Sequence, residues 1–219
     1  MVHKIRVKGN TFLRQISFAR IIVTRLRYMR FRYSLKQARD KKNPIRVVVG
    51  ASGVAFKKWI STEQAWHDIT VYDSWSQYFA PGTIDRIVAE HVLEHLTHVQ
   101  TVQTLKNFYQ FLNQNGCVRI AVPDGNHTSM EYIQNVRPGG SGRGADDHKI
   151  LYTISSLTEL FQSEGFSVDG LEYFDENGTF HSQNWDPEDG MIYRSYLHDK
   201  RNNKGKNAYS SIIIDAHKK

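Results

Sequence analysis

From residue 45 onward, short apolar runs with the composition of buried strands alternate with segments of helical periodicity. Three such runs are found at 45–49, 84–89 and 117–122, and 166–174 is a further predicted strand. Mainly apolar strands are typical of a parallel sheet covered on both faces. We therefore predict a Rossmann-like α/β fold with a mostly parallel sheet, helices on both faces and an antiparallel last strand at 210–217.

A basic helical arm is predicted before this domain. Residues 11–39 lack Gly and Pro and carry an apolar stripe at helical spacing, and Pro44 ends the helix. Residues 1–44 hold 13 Lys or Arg and one acidic residue, whereas residues 45–219 hold 16 basic and 21 acidic side chains. We predict an arm over 1–42 and a Rossmann-like α/β domain over 43–219. The stripe consists of Phe12, Ile16, Ala19, Val23 and Leu26.

Three roles for the arm remain open at this stage. Its apolar stripe and opposed arginines fit peripheral binding to an anionic membrane surface. The same arginines could bind the phosphates of a nucleic acid. Nucleic acid is the less favoured partner, because the rest of the chain is acidic. By default, the stripe docks on the domain or mediates self-association, and the arginines are solvated.

Cysteine content and hydropathy limit the cellular locations that are expected for this protein. Cys117 is the only cysteine, which excludes an intrachain disulfide and a cysteine-ligated structural zinc site. Arginines interrupt the apolar N-terminal stretch, so neither a signal peptide nor a spanning helix is predicted. We expect a cytoplasmic protein, with peripheral membrane association as the alternative that the arm leaves open.

A glycine turn and an acid mark the first ligand-binding candidates. Gly50-Ala51-Ser52-Gly53 follows the first strand, where glycines let the backbone turn tightly and approach a ligand. The full G-x-G-x-x-G fingerprint of pyrophosphate-binding dehydrogenases is absent. Glu63 follows the predicted second strand, at 58–62, where a carboxylate can accept hydrogen bonds from ribose hydroxyls or can simply be a surface group.

The region 84–124 carries a family resemblance. The segment IDRIVAEHVLEHL at 84–96 resembles the post-strand motif of class I S-adenosylmethionine-dependent methyltransferases of the type 11 group. A helix, the turn at 112–116 and the strand running into Pro123 and Asp124 continue the resemblance. It extends over residues 45–217 and is strongest over 84–124.

The resemblance implies S-adenosyl-L-methionine as cofactor. It places Gly50 to Gly53 around the methionine part, Glu63 on the ribose, Asp68 and Ile69 beside the adenine, and Glu90 and His91 beside the sulfonium. The gap between Gly53 and Glu63 is shorter than is usual in the family, which predicts a truncated first crossover helix.

A zinc hydrolase is a rival interpretation. His91-Val92-Leu93-Glu94-His95 matches the H-x-x-E-H pattern, in which two histidines on one face of a helix bind zinc and the glutamate activates water. The pattern here follows a buried strand directly and is short enough to recur by chance. The favoured interpretation therefore includes no metal ligand.

Candidate catalytic groups lie in the later loops, where a methyl acceptor would bind. Asp124 and His127 follow a strand end, and His148 is crowded by Asp146 and Asp147. A histidine can take the proton of a hydroxyl acceptor near neutral pH, and His148 is the favoured base. The aromatic and basic residues within 181–202 form a further candidate wall or lid.

The function predicted from the sequence is methyl transfer from S-adenosyl-L-methionine to a small-molecule or glycan-type acceptor. The acceptor class follows from the substrates that such families often use. A methyltransferase-like binding domain without turnover is the first alternative, and the zinc hydrolase with His91, Glu94 and His95 is the second.

Overall fold

A computed structural model describes residues 6–53, 56–202 and 208–219, with the backbone alone for residues 6–19. The chain divides into two compact units, Met1–Asn43 and Pro44–Lys219.

The first unit contains helix α1, Arg6–Asp40. After α1 the chain leaves helical geometry, since Lys42 has a positive φ of 51° and the Asn43 amide donates to Ala38 O at 3.0 Å. The side chains of Phe12, Ile16 and Ala19 lie outside the described part of the predicted stripe. The described apolar side chains between residues 21 and 29 are exposed, and they are Ile21, Ile22, Val23, Leu26 and Met29.

The second unit is built on one seven-stranded sheet with the order β2-β1-β3-β4-β7-β5-β6. The strands β1 to β4 pair in parallel, while β7 lies antiparallel between β4 and β5, and β6 pairs antiparallel with β5. The strands are β1 (Arg46–Val49), β2 (Ile60–Ser61), β3 (Ile84–Glu90), β4 (Leu112–Pro123), β5 (Phe166–Phe174), β6 (Phe180–Ser182) and β7 (Ser211–Lys218).

In the described part of this unit, four α-helices connect these strands, and two of them have capping boxes. Thr97 and Gln100 cap the start of α3, and Thr153 and Ser156 cap α5, which satisfies amides that a helix leaves without partners. The helices are α2 (Tyr72–Ser76), α3 (His98–Phe111), α4 (Met130–Val136) and α5 (Ile154–Ser163).

The central strands are buried on both faces, as their sequences predict. Every residue of β4 from Gly116 to Pro123 is buried, and so are Ser211 to Ile214 of β7. Because successive side chains point to opposite faces, this burial requires cover on each side of the sheet. The predicted fold class, a Rossmann-like mostly parallel sheet with an antiparallel last strand, is confirmed.

An irregular segment, residues 186–194, covers the sheet where a crossover helix is missing. The described residues between β1 and β2 form turns and no helix, in agreement with the short spacing between Gly53 and Glu63. Instead, Ile192 packs in a buried cluster with Val88 and Ile213. Gly190 lies so close to the sheet that an added Cβ would come within 2.5 Å of Val88 Cγ2.

Two parts of the chain are more regular than their polar, glycine-containing sequences indicate. The polar segment 123–149 contains helix α4, whose N-cap residue Ser129 accepts a hydrogen bond from the Tyr132 amide through its hydroxyl. Strand β4 begins at Leu112, five residues before the predicted start, so the turn-like letters at 113–116 belong to a strand. The Asn113 side chain donates to Asp85 Oδ1 at 2.8 Å, which ties this early part of β4 to β3.

Candidate functional site

A cleft of about 410 Å³ opens at the carboxyl ends of β1, β2 and β3. This is the edge where open α/β sheets bind ligands, and the volume lies in the range of small-molecule sites. Its lining residues are Gly50, Ser52, Glu63, Gln64, His67, Asp68, Ile69, Thr70, His91, Val92, His95, Leu96, Gln100 and Asp147.

The glycine turn and Glu63 meet on one wall of this cleft. The Gly53 amide donates to Glu63 Oε1 at 2.7 Å. Gly50 has a φ of +61°, and an added Cβ would come within 2.8 Å of Val92 Cγ2, so only glycine fits there without displacement. The structure therefore brings together two features that lie ten residues apart in the sequence.

Asp68 and Ile69 lie on the same cleft and are held by local contacts. Asp68 Oδ1 accepts hydrogen bonds from the amide and the hydroxyl of Thr70, at 2.9 and 2.7 Å. The Ile69 carbonyl accepts from Trp75 Nε1 at 3.0 Å and from Asn107 Nδ2 at 2.9 Å, both of which are buried. These contacts fix the backbone that forms this side of the cleft.

An adjoining cavity of about 280 Å³ shares Gly50, Ser52 and His91 with the first. Ala51 and Glu90 also line it, together with Tyr193 and Arg194. The Glu90 carboxylate accepts hydrogen bonds from the amides of Arg194 at 2.7 Å and Tyr193 at 3.3 Å. Glu90 thus anchors the segment that covers the sheet, and sequence reasoning did not foresee this contact between residues about 100 positions apart.

His91 is fixed between the two cavities. Its φ of +53° is unusual for a residue with a side chain and is stabilised by the surrounding contacts. The Ser211 hydroxyl donates to Arg194 O at 2.8 Å, so it accepts from His91 Nε2, 2.9 Å away. The other nitrogen, Nδ1, faces Glu94 Oε1 at 2.9 Å, and burial lowers the pKa of His91.

The helix that the H-x-x-E-H zinc-peptidase pattern requires is not formed around His91. Residues Leu93–His95 form a single 3-10 turn after the left-handed His91. The zinc hydrolase interpretation therefore loses its structural premise, because the two histidines do not share a helix face. Instead, Glu94 and His95 lie close to His148, which comes from a distant loop.

His148 reaches Glu94 because two backbone hydrogen bonds join their loops. The Lys149 amide donates to Glu94 O at 2.6 Å, and the Ile150 amide donates to the same oxygen at 3.3 Å. His148 Nε2 then lies 4.0 Å from Glu94 Oε1. Of the neighbouring acids, Asp147 lines the cleft and its Oδ2 lies 3.4 Å from His95 Nδ1.

Asp124 and His127 lie together, but neither lines the two cavities described above. Asp124 is fully buried and accepts hydrogen bonds from the amides of Phe174 and Asn126. Burial raises its pKa to about 6. His127 stacks on Tyr132 with a centroid distance of 3.9 Å, and burial lowers its pKa to about 4. In this structure both side chains join β4 to neighbouring elements.

His67 also lines the cleft, and sequence reasoning missed it. It is 1% exposed, its Nδ1 lies 3.2 Å from the Ser74 carbonyl, and its ring contacts Trp75 edge to face at 4.4 Å. Burial lowers the pKa of His67 to about 4. No pattern in the sequence singles out His67, since an isolated histidine is usually a solvated residue.

We expect His67 to make the folded state less stable in acid. Its pKa is lower in the folded state than the ordinary value of 6.5, so stability falls as the pH drops from 6.5 toward 4. Between pH 7 and 5 this amounts to a loss of about 2 kcal/mol. Urea unfolding of wild type and His67→Phe at both pH values measures it. A His67→Phe variant that loses as much stability over this interval as wild type would contradict the assignment.

The sheet is mostly parallel, and a small-molecule cleft opens at the carboxyl ends of its strands. A glycine turn and an acid line this cleft. Together these features define the class of Rossmann-like, nucleoside-binding enzyme domains. The family model described as a methyltransferase domain matches residues 32–171, which is more than half of the chain. The chain belongs to this methyltransferase family, which confirms the resemblance drawn from residues 84–124. A comparison with curated protein sequences gave no match.

Solved structures of similar fold include SAM-dependent methyltransferases from three organisms. The one from Archaeoglobus fulgidus has 14% identity and a TM-score of 0.47, with 86% of this chain and 94% of that chain covered. The one from Thermotoga maritima has 13% identity and a TM-score of 0.46, with 92% and 98% covered. The one from Mesorhizobium loti has 8% identity and a TM-score of 0.47, with 80% and 91% covered.

Family membership supports S-adenosyl-L-methionine as the cofactor, and the cleft fits it. Gly50 gives a cradle that a Cβ would fill, Glu63 offers a carboxylate for ribose hydroxyls, and Ile69 offers an apolar surface for the adenine. The cleft therefore offers a backbone cradle, a carboxylate and an apolar side chain, which are groups that suit a nucleoside.

Proposed function

We propose that this chain transfers a methyl group from S-adenosyl-L-methionine, bound in the 410 Å³ cleft, to a hydroxyl of a small-molecule or glycan-type acceptor. The observation that carries the proposal is the 2.7 Å hydrogen bond between the Gly53 amide and Glu63 on the wall of that cleft. It holds the turn and the acid in one place, on a chain that belongs to the methyltransferase family.

The chain's own residues would mainly orient the reactants. When bound, the cofactor supplies a methyl group that its sulfonium already activates. Glu63 would accept hydrogen bonds from the ribose hydroxyls, and the Asp68–Ile69 wall would contact the adenine. The polar cluster of Glu94, His95 and His148 at the rim would bind the acceptor hydroxyl and help to remove its proton. Methyl transfer depends more on the alignment of the two reactants than on strong acid–base catalysis.

Calorimetry with S-adenosylmethionine and S-adenosylhomocysteine tests the cofactor part of this proposal. We expect micromolar binding of both, and no binding of either at millimolar concentration would overturn it. Release of S-adenosylhomocysteine in the presence of hydroxylated acceptors then separates an enzyme from a binding domain without turnover.

For the arm, we propose peripheral binding to an anionic membrane surface. Ile21, Ile22, Val23, Leu26 and Met29 are between 42% and 66% exposed, and exposed arginines lie among them. Exposed apolar side chains beside cationic ones are complementary to anionic lipid headgroups and to the acyl region beneath them. No helix in the described part of the chain is long and apolar enough to cross a membrane.

Replacing Leu26 and Met29 with glutamate should abolish sedimentation of the protein with vesicles that contain phosphatidylserine. The change removes two apolar contacts and adds negative charge near an anionic surface. The control is the double variant Val99→Glu and Met130→Glu, which adds the same two negative charges at exposed apolar positions outside the arm. Equal sedimentation of the arm variant and the control would contradict this role and leave nucleic acid or self-association for the arm.

A further inference from the structure

We propose that Glu94, His95 and His148 bind a divalent transition-metal ion at the rim of the cofactor cleft, where its open coordination positions would hold the acceptor hydroxyl. The metal site is inferred from the structure alone, whereas its role toward the acceptor rests on the proposed methyltransferase function.

The three side chains have the composition and the spacing of a metal site. Their ligand atoms lie within 4.8 Å of one another, and the rings of His95 and His148 are 4.8 Å apart. A contraction of about 1.4 Å from the longest separation brings them to the roughly 3.4 Å expected between tetrahedral ligands at 2.1 Å from zinc. Two imidazoles and one carboxylate suit Zn²⁺ or Mn²⁺, and leave positions open for an exogenous oxygen.

The Glu94 carboxylate is the strongest sign that a cation belongs there. Its side chain is completely buried, and neither carboxylate oxygen accepts a hydrogen bond from any of the described residues. His91 Nδ1 lies 2.9 Å from Oε1, but without hydrogen-bond geometry. A buried carboxylate without donors is costly, and a metal ion bound to Glu94 would compensate its negative charge.

Contacts around the histidines orient them as ligands. His148 Nδ1 lies 2.6 Å from the Val136 carbonyl, which can only accept, so Nδ1 carries the proton and the lone pair of Nε2 faces Glu94. His95 Nδ1 lies 3.4 Å from Asp147 Oδ2. Histidine ligands in metal sites commonly donate their second nitrogen to a carbonyl or a carboxylate in this way.

The position of the cluster connects it to the methyl-transfer site. His95 lines the cofactor cleft together with His91 and Asp147, so an ion bound by His95 would lie at the cleft rim. A hydroxyl bound to a divalent cation loses its proton more easily than a free one. In this arrangement His148 acts as a metal ligand and not as the base itself.

The test is metal binding to EDTA-stripped full-length protein, measured without cofactor. Titration with Mn²⁺ followed by electron paramagnetic resonance, and with Zn²⁺ by calorimetry, should show one equivalent bound. His148→Ala and Glu94→Gln should each weaken binding at least tenfold. The matched control His181→Ala, which removes an exposed histidine of β6, should bind as wild type does.

Thermal melting distinguishes loss of metal binding from loss of stability when a variant is less stable than wild type. Added metal should raise the melting temperature of wild type and of His181→Ala, and should not raise that of His148→Ala. Absence of binding to wild type at 1 mM metal, or less than a twofold change in both Glu94→Gln and His148→Ala, would overturn the site. Cofactor calorimetry on the metal-free protein reports on the proposed methyltransferase function separately.

Discussion

Replacing Glu63 with alanine should weaken the binding of S-adenosylmethionine by about 10- to 100-fold. A hydrogen bond to a charged acceptor contributes about 1.5–3 kcal/mol, and this range corresponds to the net loss of one such bond to the ribose. The variant also loses the hydrogen bond that positions the Gly53 amide, so the glycine turn is no longer fixed to the cleft wall. Calorimetry at constant pH and salt gives the ratio of dissociation constants.

Two further variants separate ribose binding from general damage. Glu63→Gln keeps an acceptor oxygen for Gly53, so it should fall between wild type and Glu63→Ala. Glu159→Ala removes an exposed carboxylate from α5 and should bind the cofactor as wild type does. If Glu63→Ala retained an affinity within twofold of wild type, the ribose assignment would be wrong.

Replacing Arg119 with methionine should lower the free energy of unfolding by about 3–5 kcal/mol, because it leaves Asp215 without its buried partner. Arg119 is 3% exposed and contacts Asp215 through two hydrogen bonds of 2.7 Å. It also donates to the carbonyls of Asp186 and Gly190, which hold the irregular segment against the sheet. Urea unfolding followed by circular dichroism measures the change.

The matched control is Arg143→Met at an exposed position, which should change stability by less than about 0.5 kcal/mol. We also expect Arg119→Met to increase proteolytic cleavage within 186–194, since the two carbonyl contacts are lost. A loss below about 1 kcal/mol would show that Arg119 is not the anchor of this segment.

The sheet could be predicted from the sequence because its central strands are mainly apolar. The runs at 45–49, 84–89 and 117–122 each became a strand of the sheet. The early start of β4 could not be predicted, because Asn113 and Gly116 have the letters of a turn. Pairing with β3 overrides that local preference, through contacts such as Asn113 with Asp85.

The cleft was only partly visible in the sequence. The glycine turn and Glu63 could be related because both follow strands of a parallel sheet, whose carboxyl ends meet at one edge. The catalytic roles of Asp124, His127 and His148 stay predictions. Burial of Asp124 and His127 away from the two cavities gives them contacts that join elements, which no spacing pattern indicates.

The order of apolar and polar residues by itself determined the central strands, the helices α1, α3 and α5 and the sheet edge at which the cleft opens, since these depend on neighbours a few positions apart. Only the tertiary structure decided that His148 lies beside Glu94 and that Arg119 holds residues 186 and 190. Such contacts join positions that are 50 or more residues apart, and they form because burial leaves each polar group only the partners that the fold brings near.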